Sequence, residues 1–131
     1  MTDTLTITKE EGRVTVLHLS GILNAATQEA FLEAASQVRA NGAHFLLVDI
    51  SGITMVTSAG LQAIERIYRL FTPHEKIGEW EAAHPGEVFK SPHFKLGGAS
   101  PQVYSILNIA GFLHHIPMYA NLQEALDSFG K

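Results

Sequence analysis

The sequence predicts an α/β domain, a mixed β-sheet of about five strands carrying about four helices. Three observations predict it. The first segments alternate polar and apolar residues around a turn, as a hairpin does. Beyond them, apolar runs of strand length alternate with segments that repeat at helical spacing. That alternation favours strands joined through helices, with helices on one or both faces of the sheet. Finally, 131 residues are enough for one core and too few for two ordinary domains, so residues 1–131 read as a single domain.

The elements follow in order. "LTITKEEGRVTVLHLSG" makes two strands around "EEG", with Leu5 and Ile7 between threonines. "NAATQEAFLEAASQVRANG" makes a helix with an apolar stripe of Phe31, Leu32, Ala35 and Val38, capped by Asn24 or Thr27 and stopped at Asn41-Gly42. "AHFLLVDI" is apolar almost without a break, the pattern of a strand covered on both faces. "SAGLQAIERIYRLF" is a helix, with Leu61, Ile64, Ile67, Tyr68 and Phe71 at three- and four-residue steps. "FKLGGA" is a strand. "SPQVYSILNIAG" is a helix with Ser100 as cap, Pro101 in the first turn and Gly111 as stop. "HIPMYA" is a short edge strand that tolerates Pro117, and "NLQEALDSFG" is a last helix capped by Asn121. His18 belongs to the core or to a sheet face.

Residues 72–93 break the pattern. Pro73, Pro85 and Pro92 alternate with His74, His84, His93, four glutamates and the only tryptophan, Trp80. They read as an atypical, irregular excursion outside the main sheet, with a short helical turn at "EKIGEWEAA". Trp80, with Ile77 and Phe89, is either a recognition surface or a satellite cluster capping the core.

Composition removes several function classes. Hydrophobic residues at 46% and charged residues at 17% describe a folded chain. A net charge of -4, with scattered basic residues, gives no footprint for nucleic acid. Without cysteine there are no disulfides or thiolate metal sites. No apolar run approaches the roughly 20 residues that span a bilayer, so direct membrane insertion is not expected and a cytoplasmic location is. The histidine and glutamate spacings of the excursion match no zinc signature, and no cofactor is implied. His114-His115 read as a loop. "TSAG" lacks the leading glycine of a nucleophile elbow, and "GGASP" lacks the lysine of a P-loop, so no catalytic residues are assigned.

"MVTSAGL" is the segment that asks for a role. Ser58 stands where a strand gives way to a helix. A serine there caps backbone donors, worth about 1 kcal/mol. It also stands where free N–H groups and the positive end of the helix dipole favour a phosphate. Asp49, ahead of "ISG", reads as a structural residue fixing a turn at the strand end.

Three segments in order resemble the STAS domain, the fold of bacterial anti-sigma-factor antagonists. "LSGILNAAT" looks like the family's Gly-x-Leu-Asp-x-x-Thr strand end. "LLVDISGITMVTSAGLQAI" looks like its strand, Asp-Leu-Ser turn and Asp-Ser-x-Gly-Leu helix start. "GGASPQVYSILNIAGF" is similar to its Gly-x-Ser-Pro run. The resemblance implies a regulatory interaction module rather than an enzyme. Its partner would be an anti-sigma factor that doubles as a serine kinase, or a related regulatory protein. The phosphoacceptor would be Ser58, with Thr57 as a second hydroxyl. The partner-binding surface would hold Asn24, Thr57, Ser58, Gly60 and Gln62. The chain departs from the pattern at Asn24 and Thr57, where the family carries aspartates linked to phosphorylation. These neutral residues favour a second possibility, a non-phosphorylated STAS scaffold or accessory subunit of a transporter or signalling complex.

Overall fold

The run Leu46 to Ile50 is buried throughout, and it forms the first half of the strand at the centre of the sheet. The structure is a computed structural model that describes residues 4–72, 74–87, 93–112 and 116–129. In chain order the elements are β1 (Leu5–Glu10), β2 (Thr15–Leu23), α1 (Gln28–Ala40), β3 (Leu46–Val56) and α2 (Ser58–Phe71), followed by α3 (His74–Ala83), β4 (Phe94–Gly97), α4 (Pro101–Ile109), β5 (Met118–Tyr119) and α5 (Leu122–Ser128). The five strands lie in the order β1-β2-β3-β4-β5. β1 runs antiparallel to β2, and the remaining pairs are parallel. The mixed α/β sheet is the one expected. The extra helix is α3, where a regular helix spans His74–Ala83 in place of a short turn.

The strand order dictates where the helices go. Each parallel pair needs a crossover, and crossovers are right-handed. Because β2 to β5 are neighbours in sequence order, α1, α2 and α4 must all land on the same face. The main core is there: Phe31, Ala35 and Val38 of α1 and Ile64, Ile67 and Phe71 of α2 pack with Val103 and Leu107 of α4. They close over Leu17, Leu19, Leu46, Val48 and Leu96 of the sheet. Within α2 the buried stripe includes Gly60 and Ala63, while Leu61 is only half-buried. Small residues face the strands at that end, so the helix sits close.

The second face is treated differently. α5 packs Ala125 and Phe129 on Val16 and Leu47. Seven residues long, it lies over the β3–β5 side of this face and leaves the β1–β2 side to solvent-facing Thr6, Thr8 and Glu10. Two cations hold its C-terminal end. Lys95 Nζ donates to the Ser128 carbonyl at 3.0 Å and to Ser128 Oγ at 2.9 Å, and Arg13 donates to the Phe129 carbonyl at 3.2 Å. Both satisfy carbonyls that a helix end leaves open.

The caps follow sequence chemistry where a side chain reaches back. Ser100 Oγ accepts from the Val103 amide at 3.3 Å, and Asn121 Oδ1 from the Glu124 amide at 2.8 Å. α1 is preceded by Thr27, whose side chain makes no bond into the helix. Among the described residues no helix is long and apolar enough to cross a membrane.

Phe31 is fully buried between α1, α2 and the sheet. Phe31→Ala is expected to destabilise the fold by about 3–5 kcal/mol in chemical denaturation. A cost under about 1 kcal/mol would show that this core is not the main one.

Candidate functional site

β2 and β3 end together, and the candidate site is built on that shared end. Leu23 pairs with Val56, and the Thr57 amide then donates to the Leu23 carbonyl at 3.0 Å. Asn24 and Thr57 therefore leave adjoining strands side by side. At Asn24 the chain turns into α1. Its Oδ1 accepts from the amides of Ala26 at 3.0 Å and Thr27 at 3.2 Å. Thr27 Oγ1 in return accepts from the Asn24 amide at 3.0 Å and donates to the Ile22 carbonyl at 2.8 Å. The pair works as a reciprocal cap on the turn, so the neutral Asn24 has a defined structural task.

The bond to Leu23 keeps Thr57 extended, with φ −99° and ψ 179°. The Leu61 amide bonds the Thr57 carbonyl at 2.9 Å, which opens the helix ladder. Thr57 is thus the residue preceding the helix, and its hydroxyl caps no amide. Ser58 is not the cap that its sequence position suggested. It is the first helical residue, exposed at the N-terminus of α2, and the first turn of α2 carries no acidic residue. The positive end of the helix dipole is therefore left without a local counter-charge.

Gln62, one turn on, is exposed on the same side as Ser58. It joins Leu61, Glu65, Arg66 and Phe112 in lining an open groove of about 500 Å3. Met55, just before the site, is 52% exposed. Asn24, Thr57, Ser58 and Gln62 are thus gathered around one end of the sheet. Gly60, expected on the same surface, is buried instead. A Cβ there would stand 2.5 Å from the Leu23 carbonyl oxygen and 3.0 Å from Val56 Cγ1. Its glycine lets α2 approach the strand ends.

A second polar cluster was not legible in the sequence. Asp49 was expected at a strand end, but β3 continues to Val56. The strand bends rather than turns, because the β2–β3 register slips between His18 and Ser20. Asp49 Oδ1 accepts the Ser51 amide at 2.9 Å, so the local bond expected of it is present. Its Oδ2 lies 2.6 Å from His18 Nδ1, and His18 Nε2 lies 2.5 Å from Glu10 Oε1. His18 is accordingly a sheet-face residue. The bond to Asp49 holds its pKa above the ordinary imidazole value against a smaller opposing effect of burial, and Glu10 adds to the rise. Burial alone would raise the Asp49 carboxyl, but the bonds from His18 and Ser51 together bring it below the usual value. Both ring nitrogens face carboxylates, so neither is turned to a nucleophile. Alternation in β2 placed His18 opposite Leu17 and Leu19. Only the parallel pairing put Asp49 beside it.

In α3, Trp80 is half-buried and stacks on His84 at 4.2 Å, while Ile77 packs on the main core. His93 stacks on Phe45 at 5.4 Å. Phe89 and His114-His115 lie outside the described residues. Among the described residues no three His, Asp or Glu side chains are grouped to hold a metal ion.

The family profile of the STAS domain matches residues 6–75. No curated protein matches the sequence. Solved structures do match in fold. An anti-sigma factor antagonist from Mycobacterium paratuberculosis superposes with a TM-score of 0.79 at 20% identity, covering 100% of this chain and 98% of that one. An anti-sigma-factor antagonist (STAS) domain protein from Planctomyces limnophilus gives 0.63 at 22% identity, covering 95% and 98%. The Bacillus cell fate determinant SpoIIAA in its phosphorylated form gives 0.60 at 16% identity, covering 95% and 97%.

The tight seat of Gly60 can be measured. Gly60→Ala is expected to cost about 1–3 kcal/mol in chemical denaturation, because a methyl group must displace backbone rather than a flexible side chain. A stability equal to wild type would show that α2 is free to move off the strand ends.

Proposed function

This chain belongs to the STAS domain family, and from that premise we propose that it is a regulatory interaction module of the anti-sigma-factor antagonist kind. It binds an anti-sigma factor that is also a serine kinase, or a related regulatory protein, through the surface around Asn24, Thr57, Ser58 and Gln62. Phosphorylation of Ser58 switches that binding off. The observation that carries the reading is the exposure of Ser58 at the start of α2, where no acidic residue occupies the first turn.

The physics of the switch is local. A phosphate on Ser58 adds about −1.5 to −2 charges. The α2 N-terminus tolerates this charge, so the modified chain stays folded. A docked partner presenting acidic groups does not tolerate it, and like-charge repulsion ejects the partner. The module acts by changing the charge of a surface and needs no chemistry of its own.

Asn24 and Thr57 favour a second reading. Both are neutral, and Asn24 is committed to capping its own turn. A STAS subunit that holds a complex together without phosphorylation has no use for carboxylates at these positions.

Binding measurements separate the two. In the switch, Ser58→Asp weakens partner binding at least tenfold, about 1.4 kcal/mol, whereas Ser58→Ala binds as wild type and resists the kinase. Thr57→Val belongs in the series, to remove the neighbouring hydroxyl. Thr57→Asp is expected to speed phosphorylation of Ser58. If Ser58→Asp binds like wild type and no kinase modifies wild type or Thr57→Asp, the scaffold reading replaces the switch.

A further inference from the structure

The His18 cluster stands apart from the Ser58 surface and has its own geometry. Glu10, His18 and Asp49 come from three neighbouring strands, β1, β2 and β3, and run from the solvent-facing β1–β2 side of that sheet face to the buried Asp49. We propose that these residues form a proton-operated clasp, which ties the edge strand β1 to the central strands and opens when the imidazolium loses its proton.

Three features carry this. First, the two ring nitrogens each reach a carboxylate, at 2.6 Å and 2.5 Å, and both bonds can be donated only by the protonated ring. Second, the two carboxylates differ in setting. Asp49 is buried at the register slip and anchored by the Ser51 amide. Glu10 has a side chain 71% exposed. A neutral ring keeps its single N–H on Asp49 and presents a lone pair to Glu10, whose carboxylate then returns to water. Third, β1 is held from one side only, by its antiparallel ladder to β2 along Leu5–Glu10. It is the sheet edge, and its contribution to the core is the half-buried Leu5 and Ile7.

Among the described residues other charges do not intervene. Lys9, on the opposite side of β1, pairs with Glu11 at 2.9 Å. Lys95 of β4 is turned toward Ser128. Glu10 from β1 and Asp49 from β3 are the charged groups facing the ring.

The sign follows from linkage. His18 titrates above its ordinary value in the folded chain. The tie is therefore fully present below the ordinary imidazole range and is lost as pH rises through the folded-state value. Only the part of that rise that Glu10 supplies is linked to β1, because Asp49 stays beside His18 when the edge strand leaves.

The test is NMR of the intact chain between about pH 5.5 and 9, a range that brackets imidazole titration. The His18 ring is followed by its nitrogen shifts, and amide exchange of Leu5–Glu10 is corrected for the intrinsic rate. The expected result is a fall in β1 protection of about two- to fivefold, coincident with His18 deprotonation, while amides of Leu46–Ile50 hold. In Glu10→Gln, an exposed substitution, the step disappears and the His18 midpoint drops. Flat β1 protection through the His18 titration overturns the clasp. So does a step of equal size in Glu10→Gln.

Discussion

The parallel ladder between β2 and β3 is the constraint on which the rest of the molecule depends. Its last pair, Leu23 with Val56, sets Asn24 beside Thr57 and aims α2 away from the sheet at Ser58. Its middle pair sets His18 beside Asp49. Its two register slips let one long strand bend without ending, and Asp49 takes the Ser51 amide near the first of them. Both polar sites are therefore products of one pairing. A one-residue change of register would turn His18 into the main core and Leu17 out to solvent, which the buried face forbids.

The sequential strand order has a second consequence. With every crossover right-handed and every neighbour consecutive, α1, α2 and α4 share one face. The other face has α5 over its β3–β5 side and is covered unequally. Where α5 lies, the contact is reinforced by Lys95, whose ammonium stands 4.5 Å from the Phe129 ring centre and donates to the Ser128 carbonyl. Burial pushes the pKa of that ammonium down, so the helix end is held by a cation that is costly to bury. Where α5 does not lie, polar side chains of β1 and β2 stand in the open, and a charged trio is tolerated because water reaches one member of it.

The two polar sites thus use charge in opposite ways. Around Ser58 the fixed side chains are neutral, and the positive end of a helix is left uncompensated. Around His18 the charges are already paired across three strands. A phosphate has an electrostatic reason to sit at the first and none at the second.

Much of the fold was legible because it depends on local periodicity. The five strands, the boundaries of α2 and the caps Ser100 and Asn121 follow from apolar spacing and side chains that reach backbone within three residues. The exposure of Ser58 was legible too, since a strand-to-helix junction lies at the surface. The full length of α3 is not legible, because its glutamates leave little apolar stripe and the flanking Pro73 and Pro85 suggest only a short helical turn between them. Adjacency to Ser58 suggests a partner surface for Gly60, yet adjacency in sequence says nothing about which side of a first helical turn meets the strands. By itself the sequence determined the element order apart from α3, the buried central strand and the hydroxyl at the start of α2, because each is encoded within a few residues. Only the tertiary structure decided that Thr57 precedes the helix uncapped, that Gly60 is buried under Leu23, and that Glu10, His18 and Asp49 meet. Each of these depends on strand register, a relation between residues far apart in the chain that no local pattern records.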